Sequence, residues 1–308
     1  MLSKSFQIIK GFLSTILTIF SISIYKSRIG WKRAKFYSDF HKFCQRKHKY
    51  INTSNENTTK KVEELKKNGF ASFHTKSSSS IAKSIFKRLK VFEEKGKKIW
   101  DNEKHQSGHY QGDLWQDFPE LKMFFKNDLE IFLKQYFNSN FKIYYGSLYK
   151  KTYSTGRSGS ENWHSDSGPG ICLNIMYYLE SVEKKNGAME LLPWGISRKI
   201  FFREKISNFL SLLKKSHYFN KSDLVNFYNK IIDKKFFNNI VTVTGQGGLI
   251  VPFLNNTLHR GGYNEKNNSR TAIVFHCYPT FKNYDYEFYK QKGISKINPY
   301  PFDPYKEL

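Results

Sequence analysis

Cysteine is scarce in this chain, and so is negative charge. The three cysteines in 308 residues, Cys44, Cys172 and Cys277, are odd in number and form no CxxC pair. That excludes a disulfide framework or a thiolate zinc site as the basis of the fold and suits a reducing, cytoplasmic setting. A chain of this length can bury a full core without such staples. Internal repeats are absent, and so is a phosphate-binding glycine loop. The stretch GQGG at Gly245–Gly248 leads into the strand-like LIVPF rather than into a helix, and reads as a turn. No apolar run is long enough to cross a bilayer. Residues 12–25, FLSTILTIFSISIY, supply 14, where about 20 are needed.

Acidic residues number 26 against 51 basic ones, a net charge of +25. The lysines are spread along the whole chain, which fits a solvated surface better than a gathered nucleic-acid or lipid patch. Around the apolar run they are denser, with Lys4 and Lys10 before it and Lys26, Arg28, Lys32, Arg33 and Lys35 after it. Two expectations stand side by side here: a helix docked on the body, or an interfacial helix giving peripheral membrane contact through residues 1–35.

The polar stretch Asn52–Thr59, NTSNENTT, reads as a linker. It divides a basic N-terminal segment, 1–60, from a body at 61–308. Ile81, Ile85, Leu89 and Phe92 recur at helical period and stop near Gly96, and Leu121, Phe125, Leu129, Phe132 and Tyr136 do so after a capping-box spacing at Asp117 and Glu120. From Phe141 the texture changes to short β-branched and aromatic runs, KIYYGSLYKKTYS, ICLNIMYYLE, GAMELLP, IVTVTG, LIVPF and TAIVFHCYP, the pattern of an all-β region. A helical insertion at about 200–239 interrupts it.

Within that region NWHSDSGPG places His164 and Asp166 two residues apart. In an extended chain residues i and i+2 face one side, so an imidazole and a carboxylate can reach one ion. Alone, this pair is more readily a satisfied surface contact than a metal site. A third candidate ligand, His259 in NTLHRGG, again ends a β run, and Arg270 follows 11 residues later, across the turn-forming Gly261, Gly262, Asn264, Asn267 and Asn268. Two histidines and one carboxylate on one face of an octahedral ion suit non-haem Fe(II). A nearby Arg suits the far end of a dicarboxylate.

These residues resemble the phytanoyl-CoA dioxygenase-like branch of the Fe(II)- and 2-oxoglutarate-dependent oxygenases. NGFASFH (Asn68–His74) looks like that family's opening strand, WHSD carries its HxD, NGAMELLPWGIS resembles the strand ending in Pro-Gly-Ser-His, and GQGGLIVPFLNNTLHRGGYNEKNNSR resembles the stretch with the distal His, Asn and Arg. The likeness runs from about Lys61 to Lys282. It implies a mainly β, cupin-like double-stranded β-helix, a jelly roll with flanking helices. It also implies His164, Asp166 and His259 as metal ligands, and Arg270 on the C5 carboxylate of 2-oxoglutarate, with Fe(II) as metal and ascorbate as a supporting reductant.

For the rest of the co-substrate the candidates are Tyr145, Ser147 and Asn174, and for the substrate pocket Trp163, Tyr149 and Met176, chosen by alternation on strands near the HxD. His109 and His276 are expected to be structural. Asp166 favours hydroxylation over halogenation, since halogenating relatives lack the carboxylate. Relatives that repair alkylated bases carry an Arg where His276 stands, so no nucleic acid is expected. Trp194, Ile196 and the insertion depart from the family pattern, and are expected to bear on the substrate mouth more than on the metal. The resulting expectation is a hydroxylase of a small-molecule, acidic or lipid-linked substrate. Its rivals are a non-catalytic cupin-like binding protein and a membrane-surface adaptor.

Overall fold

The computed structural model describes residues 9, 13, 31–48, 56–101, 107–126, 128–153, 159–166, 172–215 and 220–283. Most of the apolar run at 12–25 therefore lies outside the described residues, and with it the expected membrane contact. No described helix is long and apolar enough to cross a membrane.

The centre is a pair of antiparallel sheets. The larger has five strands in the order β1 (Ser107–His109), β2 (Asn140–Lys151), β8 (Arg270–Thr280), β3 (Leu173–Tyr178) and β6 (Ile250–Leu254). The smaller places β4 (Glu190–Leu191) between β5 (Val241–Thr242) and β7 (His259–Arg260). Strand order thus jumps along the chain, so residues far apart in sequence become neighbours across the sheets. The longest pairing, β2 with β8, runs in register from Asn140↔Thr280 to Lys151↔Arg270, with a bulge between Ile143 and Tyr145.

Alternation assigns each side chain to one of two cores. Met176, Tyr178, Val251, Phe253 and Ala272 of the large sheet pack against Val182, Ala188, Met189, Leu191 and Val243 on the small-sheet side. The opposite face, with Ile143, Leu173, Ile175, Tyr177, Ile273 and Phe275, packs on helices. Strand β3 is buried on both faces, which is why LNIMYY reads as an almost unbroken apolar run rather than an alternation.

The covering helices are α2 (Glu56–Asn68), α3 (Ser78–Glu94), α4 (Leu114–Asp117), α5 (Glu120–Phe124) and α6 (Asp128–Phe137). Phe124 stacks on Tyr177 at 4.1 Å between ring centroids, and Phe125 meets Phe275 edge-on at 4.9 Å. These aromatic contacts clamp the helices to the sheet. The single helix expected across Leu121–Phe137 is instead two, because the chain turns at Phe125, just past which Lys126 N–H bonds back to Met123 O at 3.1 Å. Both halves still bury their apolar faces. Asp117 does not cap; it accepts from Tyr110 Oη, and Asp113 caps α4.

The expected opening strand at Asn68–His74 lies along β6 through isolated bridges, Phe70↔Phe253 and Phe73↔Ile250. Gly248 confirms the turn at GQGG: its φ is +92°, and a Cβ there would stand 2.5 Å from the Ser79 backbone. Upstream, α1 (Trp31–Lys47) buries Tyr37, Phe40 and Cys44. Helix α2 opens at Glu56, within the stretch expected to be a linker.

The insertion forms two helices, α7 (Trp194–Lys215) and α8 (Lys221–Lys235). It begins six residues before the expected boundary, directly after Pro193. Its apolar face meets Trp163, Leu192 and Leu258 in a third core with Ile200, Phe201, Tyr228 and Ile232. Trp163 and Leu258 each precede a candidate metal ligand, so the insertion buttresses the candidate metal site, a role the expectation about the mouth did not include.

Candidate metal centre

His164 and His259 are brought together by backbone. Each N–H donates to the other's carbonyl, at 3.0 and 2.9 Å, while Asp166 N–H donates to Asn255 O at 2.8 Å. The two imidazole rings then lie 4.3 Å apart between centroids. Asp166 offers one carboxylate oxygen to each, 3.7 Å from His164 Nε2 and 3.7 Å from His259 Nε2. The three candidate ligand atoms lie within 4.8 Å of one another.

Their orientation is fixed by a second layer of hydrogen bonds. His164 Nδ1 lies 2.8 Å from Asn162 O, and His259 Nδ1 2.8 Å from Thr257 O. A carbonyl can only accept, so each Nδ1 carries a proton and each Nε2 is left facing Asp166. Asn174 Nδ2 donates to Asp166 Oδ2. Burial lowers the pKa of His259 to about 4, against the opposing pull of the Asp166 carboxylate. At neutral pH it is therefore an uncharged donor. Two imidazoles and a carboxylate at this spacing fit one divalent ion bonded at about 2.1 Å.

The centre opens into a cavity of about 240 Å³. Arg270 reaches it from the first position of β8 and is 3% exposed, yet its Nε and Nη1 have no hydrogen-bond partner. A buried guanidinium with two orphaned donors is costly unless an anion joins it. Burial works against its charge, Tyr149, Tyr178 and Glu161 favour it, and the net effect raises its pKa. Its Nη2 lies against Gly261, where a Cβ would stand 3.3 Å away.

Of the remaining candidates, Tyr145, Ser147, Tyr149 and Met176 line the cavity. Two do not. Asn174 sits behind Asp166 as its hydrogen-bond donor, and Trp163 is fully buried in the core under the insertion, with Arg260 stacked 4.7 Å from its ring. Its bulk belongs on the packed side because i and i+1 on an extended chain face opposite ways.

His109 and His276, expected to be structural, line the cavity, and so do Lys151, Ser160, Met189, Phe253, Gly261 and Val274, which sequence reasoning did not assign to the site. The signal was present: on β8 the period-2 series from Arg270 runs through Val274 to His276, and on β2 the series Tyr145, Ser147, Tyr149 ends at Lys151. His276 has a buried Nδ1 without a partner, and burial lowers its pKa. His109 meets Ser147 Oγ at 3.0 Å.

No family model and no curated protein matches the sequence. Solved structures do. EctD from S. alaskensis, crystallised with 2-oxoglutarate and 5-hydroxyectoine, superposes with a TM-score of 0.50 over 75% of this chain and 79% of that one, at 14% identity. The same protein has been crystallised with iron, at 13% identity and a TM-score of 0.50 over 75% of this chain and 80% of that one. The chain shares the EctD fold. HygX from Streptomyces hygroscopicus, with nickel, 2-oxoglutarate and hygromycin B bound, covers 73% of this chain and 88% of its own, at 13% identity and a TM-score of 0.48.

Proposed function

We propose that the protein is an Fe(II)- and 2-oxoglutarate-dependent oxygenase of the phytanoyl-CoA dioxygenase-like type that hydroxylates a small molecule. One observation carries this reading: the ligand cluster His164, Asp166 and His259 shares a single cavity with a buried guanidinium whose Nε and Nη1 are unpartnered. The fold shared with EctD supports it.

His164, Asp166 and His259 would hold the iron, and Arg270 the distal carboxylate of 2-oxoglutarate in a charge-assisted pair. Bound there, iron and 2-oxoglutarate supply the oxidation itself, consuming dioxygen and releasing succinate and CO2. The chain contributes placement and dryness. Carbonyls of Asn162 and Thr257 aim the imidazoles, Asn174 holds the carboxylate, and Phe253, Met176, Met189 and Val274 exclude water from the cavity wall. Tyr145, Ser147 and Tyr149 are within the same lining and are the candidates for contact with the keto acid and substrate.

The test is succinate release by the purified full chain with Fe(II), ascorbate and 2-oxoglutarate, in the absence of added substrate and with a panel of small metabolites. His164→Ala and Asp166→Ala are expected to abolish it. Undiminished release by both variants rules the reading out.

A further inference from the structure

One inward-facing series on β8 has a polar side chain at each end and none between. It runs Arg270, Ala272, Val274, His276, and both end residues line the cavity. In the reading above, Arg270 meets the distal carboxylate of 2-oxoglutarate. His276 has no such assignment, yet its Nδ1 is buried with no hydrogen-bond partner. A polar atom left in that state is costly unless a ligand supplies the partner. The register shows where this nitrogen stands. Tyr145, His276, Asn174 and Phe253 share one rung across β2, β8, β3 and β6. Two of the four support candidate metal ligands: Asn174 donates to Asp166 Oδ2, and Phe253 meets the His259 ring edge-on at 4.8 Å between centroids. His276 belongs to this floor but not to the ligand cluster, and Tyr145 holds its ring edge-on at 5.3 Å.

We propose that His276 donates a hydrogen bond to the inner carboxylate of 2-oxoglutarate, the one beside the keto group, so that β8 alone grips both ends of the co-substrate. The inference rests on the 2-oxoglutarate reading and replaces the structural role expected of His276. Six residues of strand separate the two ends, about 20 Å between Cα atoms. Arg270 leans back along that span, its guanidinium 5.8 Å from the ring of Tyr149, the register partner of Ala272. An arginine side chain and a five-carbon diacid laid end to end, with a hydrogen bond at each end of the diacid, fill the remainder. The chemistry of the series matches the ligand in order as well as in length. Donors stand at the two ends, where the carboxylates lie, and Ala272 and Val274 stand between, beside the methylenes. The inner carboxylate arrives over the rung that carries Asn174 and Phe253, which is where the candidate metal ligands are held. An imidazole N–H there meets a charged acceptor in a dry site, where such a bond is strong.

The experiment is calorimetric titration of 2-oxoglutarate into the full chain loaded with Mn(II), for the parent, His276→Leu and His276→Asn. Leucine fills the space without a polar atom, whereas asparagine restores a nitrogen near the position of Nδ1. His276→Leu is expected to raise the dissociation constant about tenfold or more, because a hydrogen bond to a charged group is lost, and His276→Asn to stay within about threefold of the parent. Titration of the same three proteins with Co(II) should show metal affinity unchanged within about twofold, since neither variant removes a ligand or the group that aims one. An unaltered constant for 2-oxoglutarate in His276→Leu overturns the proposal. Equal losses in the leucine and asparagine variants, or a matching loss of Co(II) affinity, overturn it in favour of a structural role. Should His276→Leu fail to fold, His276→Phe, which keeps a ring against Tyr145, is read by the same criteria. Absence of 2-oxoglutarate binding by the parent protein would overturn the oxygenase reading and this inference with it, whereas parent binding that ignores the loss of the imidazole overturns only the inference.

Discussion

His164 and His259 exchange a reciprocal pair of backbone hydrogen bonds although 95 positions separate them in the chain, and each donates its Nδ1 proton to a carbonyl two residues before it. The same local geometry is thus built twice, once on each strand end, and the two copies face one another. A candidate metal site made this way has its two histidines held by main chain, so their aim does not depend on flexible side chains. The carboxylate is different, since Asp166 is steered by a side chain, Asn174.

That difference makes Asn174 a place to weaken the centre without removing a ligand. Asn174→Ala keeps Asp166 but lets it rotate, and carboxylate partners of this kind are worth roughly 10- to 100-fold in metal affinity. Titration with Co(II), followed by its visible absorption, should show a dissociation constant raised by about that factor, with the number of sites unchanged. Unaltered affinity would mean that the backbone bond from Asp166 N–H to Asn255 O suffices to aim the carboxylate.

Much of this centre was legible because its chemistry is local. Spacing put His164 and Asp166 on one side of an extended chain, and glycines around His259 marked a strand end. The strand series on β2 and β8 were equally legible but were followed only part of the way, so Lys151 was left out and His276 was given a structural reading. What could not be read was long-range. Whether Trp163 faces the cavity or the core depends on helices 30 to 70 residues later in the chain, whose Ile200, Phe201 and Tyr228 claim it. Nor does composition say that α7 and α8 brace the ligand loops: Asn229 bonds Asn162, and Ser197 Oγ accepts from Leu258 N–H. The broken helix at Phe125 belongs to the same class, since a periodic run does not reveal a turn that leaves every apolar residue buried.

Acid should destabilise the fold through a residue remote from the cavity. His41 on α1 is buried against Phe137 O, and its pKa is lowered to about 4, chiefly by desolvation, with Lys66 adding and the bond to Phe137 opposing. A depressed histidine pKa means that the unfolded chain takes up a proton first as pH falls. Stability conferred by the neutral ring is therefore complete above about pH 6.5 and lost progressively down to about pH 4. The full effect is on the order of 3 kcal/mol. His41→Gln removes it while Gln45 keeps its own bond to Phe137 O. Urea unfolding of parent and variant at pH 7 and pH 4 measures it directly: the stability difference should move in the variant's favour by that amount, because other histidines titrate in both proteins. A difference independent of pH would show that His41 is hydrated.

Gly261 gives a sharper probe of the anion end, because its backbone lies directly against the Arg270 guanidinium. A Cβ at this position would stand 3.3 Å from Arg270 Nη2, closer than a relaxed carbon–nitrogen contact, so the guanidinium must yield by a few tenths of an ångström. The backbone itself imposes no strain, since Gly261 is not among the glycines with positive φ. Gly261→Ala should therefore leave stability within about 1 kcal/mol of the parent and act on the ligand through Arg270. Charge-assisted pairs lose strength quickly when displaced, and a rise of about three- to tenfold in KM for 2-oxoglutarate, with kcat nearly unchanged, is expected. Gly261→Val, with two further carbons aimed the same way, should raise KM further still. Should kcat fall with KM unmoved, the added carbon would be disturbing His259 two residues away rather than Arg270, and the guanidinium would not be the group that receives the co-substrate.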